Sequence, residues 1–161
     1  MPEGQMLLPE SERLAFRAWE ERDWPFFAAM NANPQVMRFF PAVMTKEQSR
    51  SMWDRMRAEL DEKGYGLYAV ELKASGGLIG LMGFHWADFV AEFTPCVEIG
   101  WRLVPEAWGH GYATEGARAC LEYGFARLGL DRIYSFTACV NLPSEAVMKR
   151  AGMNKAGEFN H

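Results

Sequence analysis

The stretch WGHGYAT, residues 108–114, joins two differently patterned segments. Before it, CVEIGWRLV (96–104) alternates as a strand does, and after it YATEGARACLEYGFARLG is spaced as a helix. The first N–H groups of a helix have no intrahelical acceptor, and the helix dipole adds partial positive charge there. Gly109 and Gly111 let the backbone come close to an anion, so the turn has the chemistry of a phosphate cradle. It lacks the lysine and Ser/Thr of a P-loop and the spacing of a dinucleotide-binding GxGxxG. A ligand-free strand–helix turn also uses glycines, so the meaning of this one rests on its surroundings.

The surrounding elements read as β, α, α, β, β, β, α, β, α, β. RLAFRAW (13–19) is a first strand with Leu14, Phe16 and Ala18 on one side. Asp23 precedes a helix through WPFFAAM that Asn33-Pro34 stops. Thr45 to Gln48 has capping-box form, and Met52, Trp53, Met56 and Leu60 follow at helical spacing as core or pocket lining up to Gly64. GLYAVELK (66–73) and LIGLMGFHW (78–86) form a hairpin through ASGG, and the strand 96–104 follows antiparallel. The next helix carries Ala113, Gly116, Ala117, Cys120 and Gly124 as a small-residue stripe that permits close approach to a sheet. RIYSFTACV (132–140) is expected to be a buried strand parallel to 96–104 through a βαβ unit. NLPSEAVMKRAG (141–152) is a short helix, and MNKAGEFNH begins one more strand. The expected fold is α/β (α+β), a mixed sheet flanked by helices in a single domain over residues 1–161.

Composition narrows the function. Of the 161 residues 49% are hydrophobic and 14% aromatic, enough for a packed core. The net charge is −4 and no Lys/Arg cluster offers a stripe that tracks phosphates, which argues against a nucleic-acid partner. Cys96, Cys120 and Cys139 are odd in number and sit in apolar segments, so buried reduced thiols are expected and no metal spacing is present. The start MPEGQMLLPE lacks a signal-peptide pattern, and no run approaches the ~20 apolar residues of a membrane span. The expectation is a cytoplasmic protein.

Taken together, EIGWRLVPEAWGHGYATEGARA and NLPSEAVMKRAGM resemble the acetyl-coenzyme A signature and the N-x-x-S helix of the GNAT superfamily of N-acetyltransferases, in particular its RimJ/RimL-type branch. Trp108 stands where the wider superfamily has Gln or Arg, as it commonly does in that branch. The resemblance covers essentially the whole chain. It implies a mostly antiparallel sheet with a central, splayed parallel strand pair and acetyl-coenzyme A as co-substrate. It further implies that backbone N–H groups of Gly109, His110, Gly111, Tyr112, Ala113 and Thr114 hold the pyrophosphate. The pantetheine arm would lie between the splayed strands, along the edge formed by Trp101, Leu103 and Val104. The family pattern continues through a further loop and strand after GEFNH, so more chain or a second subunit in a homodimer is expected to cover the sheet edge.

Acetyl transfer to an amine needs a neutral nucleophile, a stabilised oxyanion and a leaving thiol. Glu98 matches the family's EIG glutamate and is assigned as base or amine-binding carboxylate, with Arg102 near enough to compete as a salt-bridge partner. Ser144 matches the serine of N-x-x-S and is assigned to the departing sulfur, while Asn141 holds a pantetheine amide or caps its helix. Backbone N–H groups near 101–104 are the expected oxyanion donors. His110 contributes backbone only, and His85 is read as a rim histidine outside the site. The acceptor is a protein N-terminus or a small amine, reached by direct transfer. A non-catalytic acyl-coenzyme A binding module on the same fold is the alternative.

Overall fold

A four-stranded antiparallel sheet, in the order β1-β2-β3-β4, separates two layers of helices. The computed structural model describes residues 8–159; most of the N-terminal stretch read for a leader, residues 1–7, and the last two residues of the expected final strand lie outside them. The strands are β1 (Leu14–Arg17), β2 (Leu67–Leu72), β3 (Leu78–Ala87) and β4 (Cys96–Leu103). The helices are α1 (Trp24–Ala32), α2 (Lys46–Lys63), α3 (Tyr112–Ala126) and α4 (Leu142–Arg150). Among the described residues no helix is long and apolar enough to cross a membrane.

Local chemistry sets the helix ends. Thr45 Oγ1 accepts from the Gln48 N–H at 3.1 Å and Gln48 Oε1 accepts from the Thr45 N–H at 2.8 Å, closing the expected capping box of α2. Gly64 ends that helix at φ 76°. Asp23 precedes α1 without capping it, because its carboxylate is taken by Arg17 at 2.6 Å and by the Glu20 N–H at 2.8 Å.

The period-two pattern of the strands sorts their side chains into two cores. On one face Leu14, Met82 and Phe84 lie under α3, whose small-residue stripe provides the room. A Cβ on Gly116 would fall on the Met82 sulfur, and one on Gly124 would press on Ile133 and Phe84. On the other face Trp53, Phe27 and Trp19 pack with ring centroids 5.3–5.7 Å apart, and the Trp19 indole donates to the Leu67 carbonyl at 3.1 Å. Ala18, expected inside, is exposed, and Trp19 fills the core in its place.

Two expected strands differ. Residues 132–140 make one parallel bridge, Glu98 with Tyr134, and otherwise run as half-buried to exposed irregular chain. Residues 153–159 contain no strand. The segment pairs with the open edge of β4 only at Tyr134 and then diverges from it, and among the described residues no strand pairs its other side. Cys96 and Cys120 are buried as expected, but Cys139 is exposed because it lies in that irregular segment.

Candidate active site

The register of β3 on β4 explains how the open side of β4 is built. The Val104 N–H donates to the Ile79 carbonyl at 3.0 Å, and pairs alternate from there between mutually bonded and outward-facing. The peptide groups of Val97, Ile99, Trp101 and Leu103 therefore face away from β3. Tyr134 and Ser135 take up the first two: Ile99 N–H donates to the Tyr134 carbonyl at 2.7 Å, Tyr134 N–H to the Val97 carbonyl at 3.0 Å, and Ser135 Oγ to the Ile99 carbonyl at 2.9 Å. Beyond this point the segment diverges from β4, so the splay is present although the second strand is not. Trp101 N–H and carbonyl and Leu103 N–H remain on the open edge, while the Leu103 carbonyl accepts from the Trp108 indole at 3.0 Å. Val104 was expected on this edge; with its N–H committed to Ile79, only its side chain is left to contribute.

The edge leads through a 3-10 turn (Pro105–Ala107) into the glycine turn. Gly109 and Gly111 sit at φ 79° and 78°, a region that residues with a Cβ rarely adopt. Gly111 caps α3, whose first ladder bond runs from Glu115 N–H to Gly111 carbonyl at 3.0 Å. The N–H groups of Tyr112, Ala113 and Thr114 thus precede the ladder and are available to an anion. His110 is exposed and stacks on Tyr112 at 5.3 Å. Arg13 lies over the Tyr112 ring at 4.5 Å, and a concavity of about 690 Å³ beside the turn is lined by Arg13, Gly111, Thr114 and Arg118. Free N–H groups and glycines without side chains fit a pyrophosphate; of the flanking guanidinium groups, Arg13 is paired with Glu115 at 2.6 Å and Arg118 donates to the Arg150 carbonyl.

On the sheet face opposite α3, Glu98, His85, Glu59, Arg102 and Ser144 line one cavity of about 360 Å³. Strand alternation puts Glu98 and Arg102 on this face, and His85 lies directly across from Glu98 in the β3–β4 register. Burial pushes the Glu98 carboxyl up to about 7, with His85 opposing the shift. The neighbouring Glu59 behaves otherwise. Its burial is outweighed by His85 Nδ1 at 3.0 Å and the Trp86 N–H at 2.9 Å, which hold it below the usual range. The same hydrogen bond raises His85.

Ser144 reaches the cavity from the first turn of α4, and its N–H donates to Asn141 Oδ1 at 3.2 Å. Asn141 is therefore the helix cap, one of its two expected roles. Two further expectations change. Arg102 does not pair with Glu98: its Nη1 donates to Asn31 Oδ1 at 2.6 Å. His85 is exposed, as expected of a rim residue, but it also lines the cavity, where Glu59 orients it. Glu59 was missed because its partner is on another element; its helical position facing the sheet was the available signal. Among the described residues no cysteine lines this cavity, and no cluster of three or more His, Cys, Asp or Glu side chains is placed for a metal.

Comparison with known proteins matches these features to one family. Residues 13–154 match the acetyltransferase (GNAT) domain. An uncharacterized N-acetyltransferase, YnaD of Bacillus subtilis, is 34% identical over 150 residues, covering 92% of this chain and 84% of its own. The crystal structure of a GNAT-family acetyltransferase from Bacillus anthracis superposes with a TM-score of 0.79 at 31% identity, covering 95% of this chain and 87% of that one. The fold is shared too by the RimL ribosomal L7/L12 alpha-N-protein acetyltransferase in complex with coenzyme A, with a TM-score of 0.70 at 20% identity over 90% and 82% of the two chains. With residues 13–154 inside the family match and about a third of the aligned residues shared with YnaD, the chain belongs to the GNAT acetyltransferases.

Proposed function

We propose that this acetyltransferase moves an acetyl group from acetyl-coenzyme A directly to a primary amine, with Glu98 as base and Ser144 as donor to the departing sulfur. Acetyl-coenzyme A, when bound, supplies an acyl group activated as a thioester. The turn 109–114 would hold its pyrophosphate, and the Trp101 carbonyl and Leu103 N–H its pantetheine arm. Glu98 takes the proton that the attacking amine must lose. The Trp101 N–H, facing the open edge, is the candidate donor to the carbonyl oxygen as it gains charge. Ser144 donates a hydrogen bond to the sulfur as the C–S bond breaks and keeps its proton; the coenzyme leaves as a thiolate, and the proton taken by Glu98 returns to solvent.

The observation that carries the reading is that Glu98 and Ser144, from different elements, line the same cavity. Glu98 is also the one carboxyl there pushed up to about 7, where a base works at neutral pH. Trp108 and the N-x-x-S helix support a RimJ/RimL-type assignment, and the acceptors that this suggests are protein N-termini and small amines. Release of free thiol from acetyl-coenzyme A across a panel of amines and peptides tests the proposal. Amine-dependent release is expected, and loss of Glu98 should slow it. Binding of acetyl-coenzyme A without amine-dependent release would instead identify an acyl-coenzyme A binding module.

A further inference from the structure

The cavity holds a guanidinium that the acetyl-transfer reading does not use. Arg102 stands in its wall, four residues beyond Glu98 on the same strand face, so the two Cα atoms are about 13 Å apart at ~3.3 Å per residue. Its surroundings are neutral. Nη1 donates to Asn31 Oδ1 at 2.6 Å, lies 3.8 Å from the Met52 sulfur and 4.0 Å from that of Met44, and the guanidinium stacks 5.0 Å from the Phe40 ring centre. Asn31 is fully buried, and its amide nitrogen donates to Ser49 Oγ at 3.2 Å. Among the described residues Arg102 has no carboxylate partner, and its Nε and Nη2 donate no hydrogen bond. Desolvation alone pulls its pKa down to about 10, so it stays charged at neutral pH without an anion beside it.

Arg102 is half-buried, and its unpaired N–H groups face the cavity and its solvent, where an anion could take them up. The free edge of a guanidinium presents parallel N–H groups that match a planar carboxylate. The phosphates of coenzyme A are not the expected partner, because the glycine turn lies at the start of α3 and Arg102 faces away from that helix. At the other end of the cavity Glu98 and Glu59 supply negative charge. The cavity thus has carboxyl groups where the amine would react and, about 13 Å along β4, the guanidinium of Arg102, with Arg55 of α2 also in its wall.

We propose that the acceptor is an amine that also carries a carboxylate, with the carboxylate held by Arg102 while the amine lies at Glu98. This rests on the reading that places the reacting amine at Glu98. A polyamine extended along the cavity is disfavoured by the same layout, since its second ammonium would meet the guanidinium.

The test uses matched pairs: ω-amino carboxylates of two to six carbons against their carboxamides, and peptides beginning Ala-Asp against Ala-Asn. The first pair probes small molecules and the second protein N-termini, with spermidine as the polycation control. For at least one pair the carboxylate member should have the higher kcat/KM by about tenfold or more, the range of a hydrogen bond to a charged group. Arg102→Met should bring that ratio to near one, and Arg102→Lys, which keeps the charge and loses the fork, should leave it in between. Calorimetric titration of the same pairs into protein saturated with coenzyme A reads binding without turnover. Carboxylate binding that Arg102→Met removes supports the inference even if no acetyl transfer follows, in which case the assignment of Glu98 fails instead. Acetylation without preference within any pair by the wild-type protein overturns it and leaves acetyl transfer standing. So does a preference that survives in Arg102→Met, or a failure of every carboxylate both to bind and to react.

Discussion

Glu98 and Arg102 occupy the same face of one strand, and burial pushes both towards the neutral form, to different effect at neutral pH. The carboxyl is pushed towards its neutral form and the guanidinium is left charged. If Glu98 is the base, kcat/KM should rise through about pH 7 and then level off, because only the carboxylate accepts a proton. Glu98→Gln should lower the rate about 10²–10⁴-fold at low pH, with a deficit that shrinks as rising pH supplies neutral amine. The same shift has a stability consequence. A carboxyl raised from 4.5 to about 7 on folding contributes stability that is complete below about pH 4.5 and lost as pH rises through 7. Thermal melts should therefore show Glu98→Gln more stable than wild type at pH 8 and equal to it near pH 5. Ser144→Ala should cost about 10²-fold or less, without rescue by pH, since the thiol is a fair leaving group with an ordinary pKa of about 8.5. Glu98 and Ser144 were legible in the sequence because each lies in a motif of fixed spacing. The Glu59–His85 pair and the Arg102–Asn31 bond were not, because each joins residues from different elements that only the tertiary fold brings together.

At the scale of elements, the strand–glycine–helix join was legible because its chemistry is local. Gly109 and Gly111 adopt positive φ where the turn needs it, and the first turn of α3 keeps its N–H groups free. Gly111→Val should lose coenzyme A binding and cost about 1–3 kcal/mol of stability, since a β-branched residue is strained at φ 78° whatever the space around it. Failure in both native mass spectrometry with coenzyme A and a denaturant melt is the expected result. The strand 132–140 was misread for a physical reason. Its β-branched and aromatic residues fit a sheet, but strand formation depends on a partner edge that no local pattern reports. Its absence exposes the edge of β4 unevenly, and this makes a sharp expectation for amide exchange. On adding acetyl-coenzyme A the N–H groups of Trp101 and Leu103 should slow by about tenfold or more, a size set by new hydrogen bonds. The Val104 N–H, already bonded to Ile79, should change little. Equal slowing at all three positions would show general tightening in place of pairing along the edge.

At the scale of the molecule, the candidate site draws on the sheet, on α2 and α3, and on the later segments of the chain. The sheet, α1 and α2 share a continuous aromatic and aliphatic core, and α3 is locked on by Gly116 and Gly124. Residues 132–140 and α4 join through Val147 and Ile133, which pack on that core, and through Tyr134 and Phe136, whose rings pack on Phe93. Their links include the Glu98–Tyr134 bridge and the Arg118 guanidinium, which donates to the Arg150 carbonyl at 2.6 Å. A ligand that spans the glycine turn, the β4 edge and Ser144 would cross-link these parts. Coenzyme A at one hundred times its Kd should stabilise the folded state by about 2.7 kcal/mol. For a chain of this size each kcal/mol moves Tm by about 2–4 °C, so a rise of about 5–10 °C is expected. Pantetheine at the same concentration should give a much smaller shift, because it lacks the pyrophosphate that the α3 N-terminus would hold. The rise should fall with added salt less than a purely ionic contact would, since backbone N–H groups rather than exposed cations carry it. Differential scanning calorimetry with each ligand decides the matter: equal shifts from pantetheine and coenzyme A would remove the phosphate role from the glycine turn and leave the β4 edge as the principal binding element.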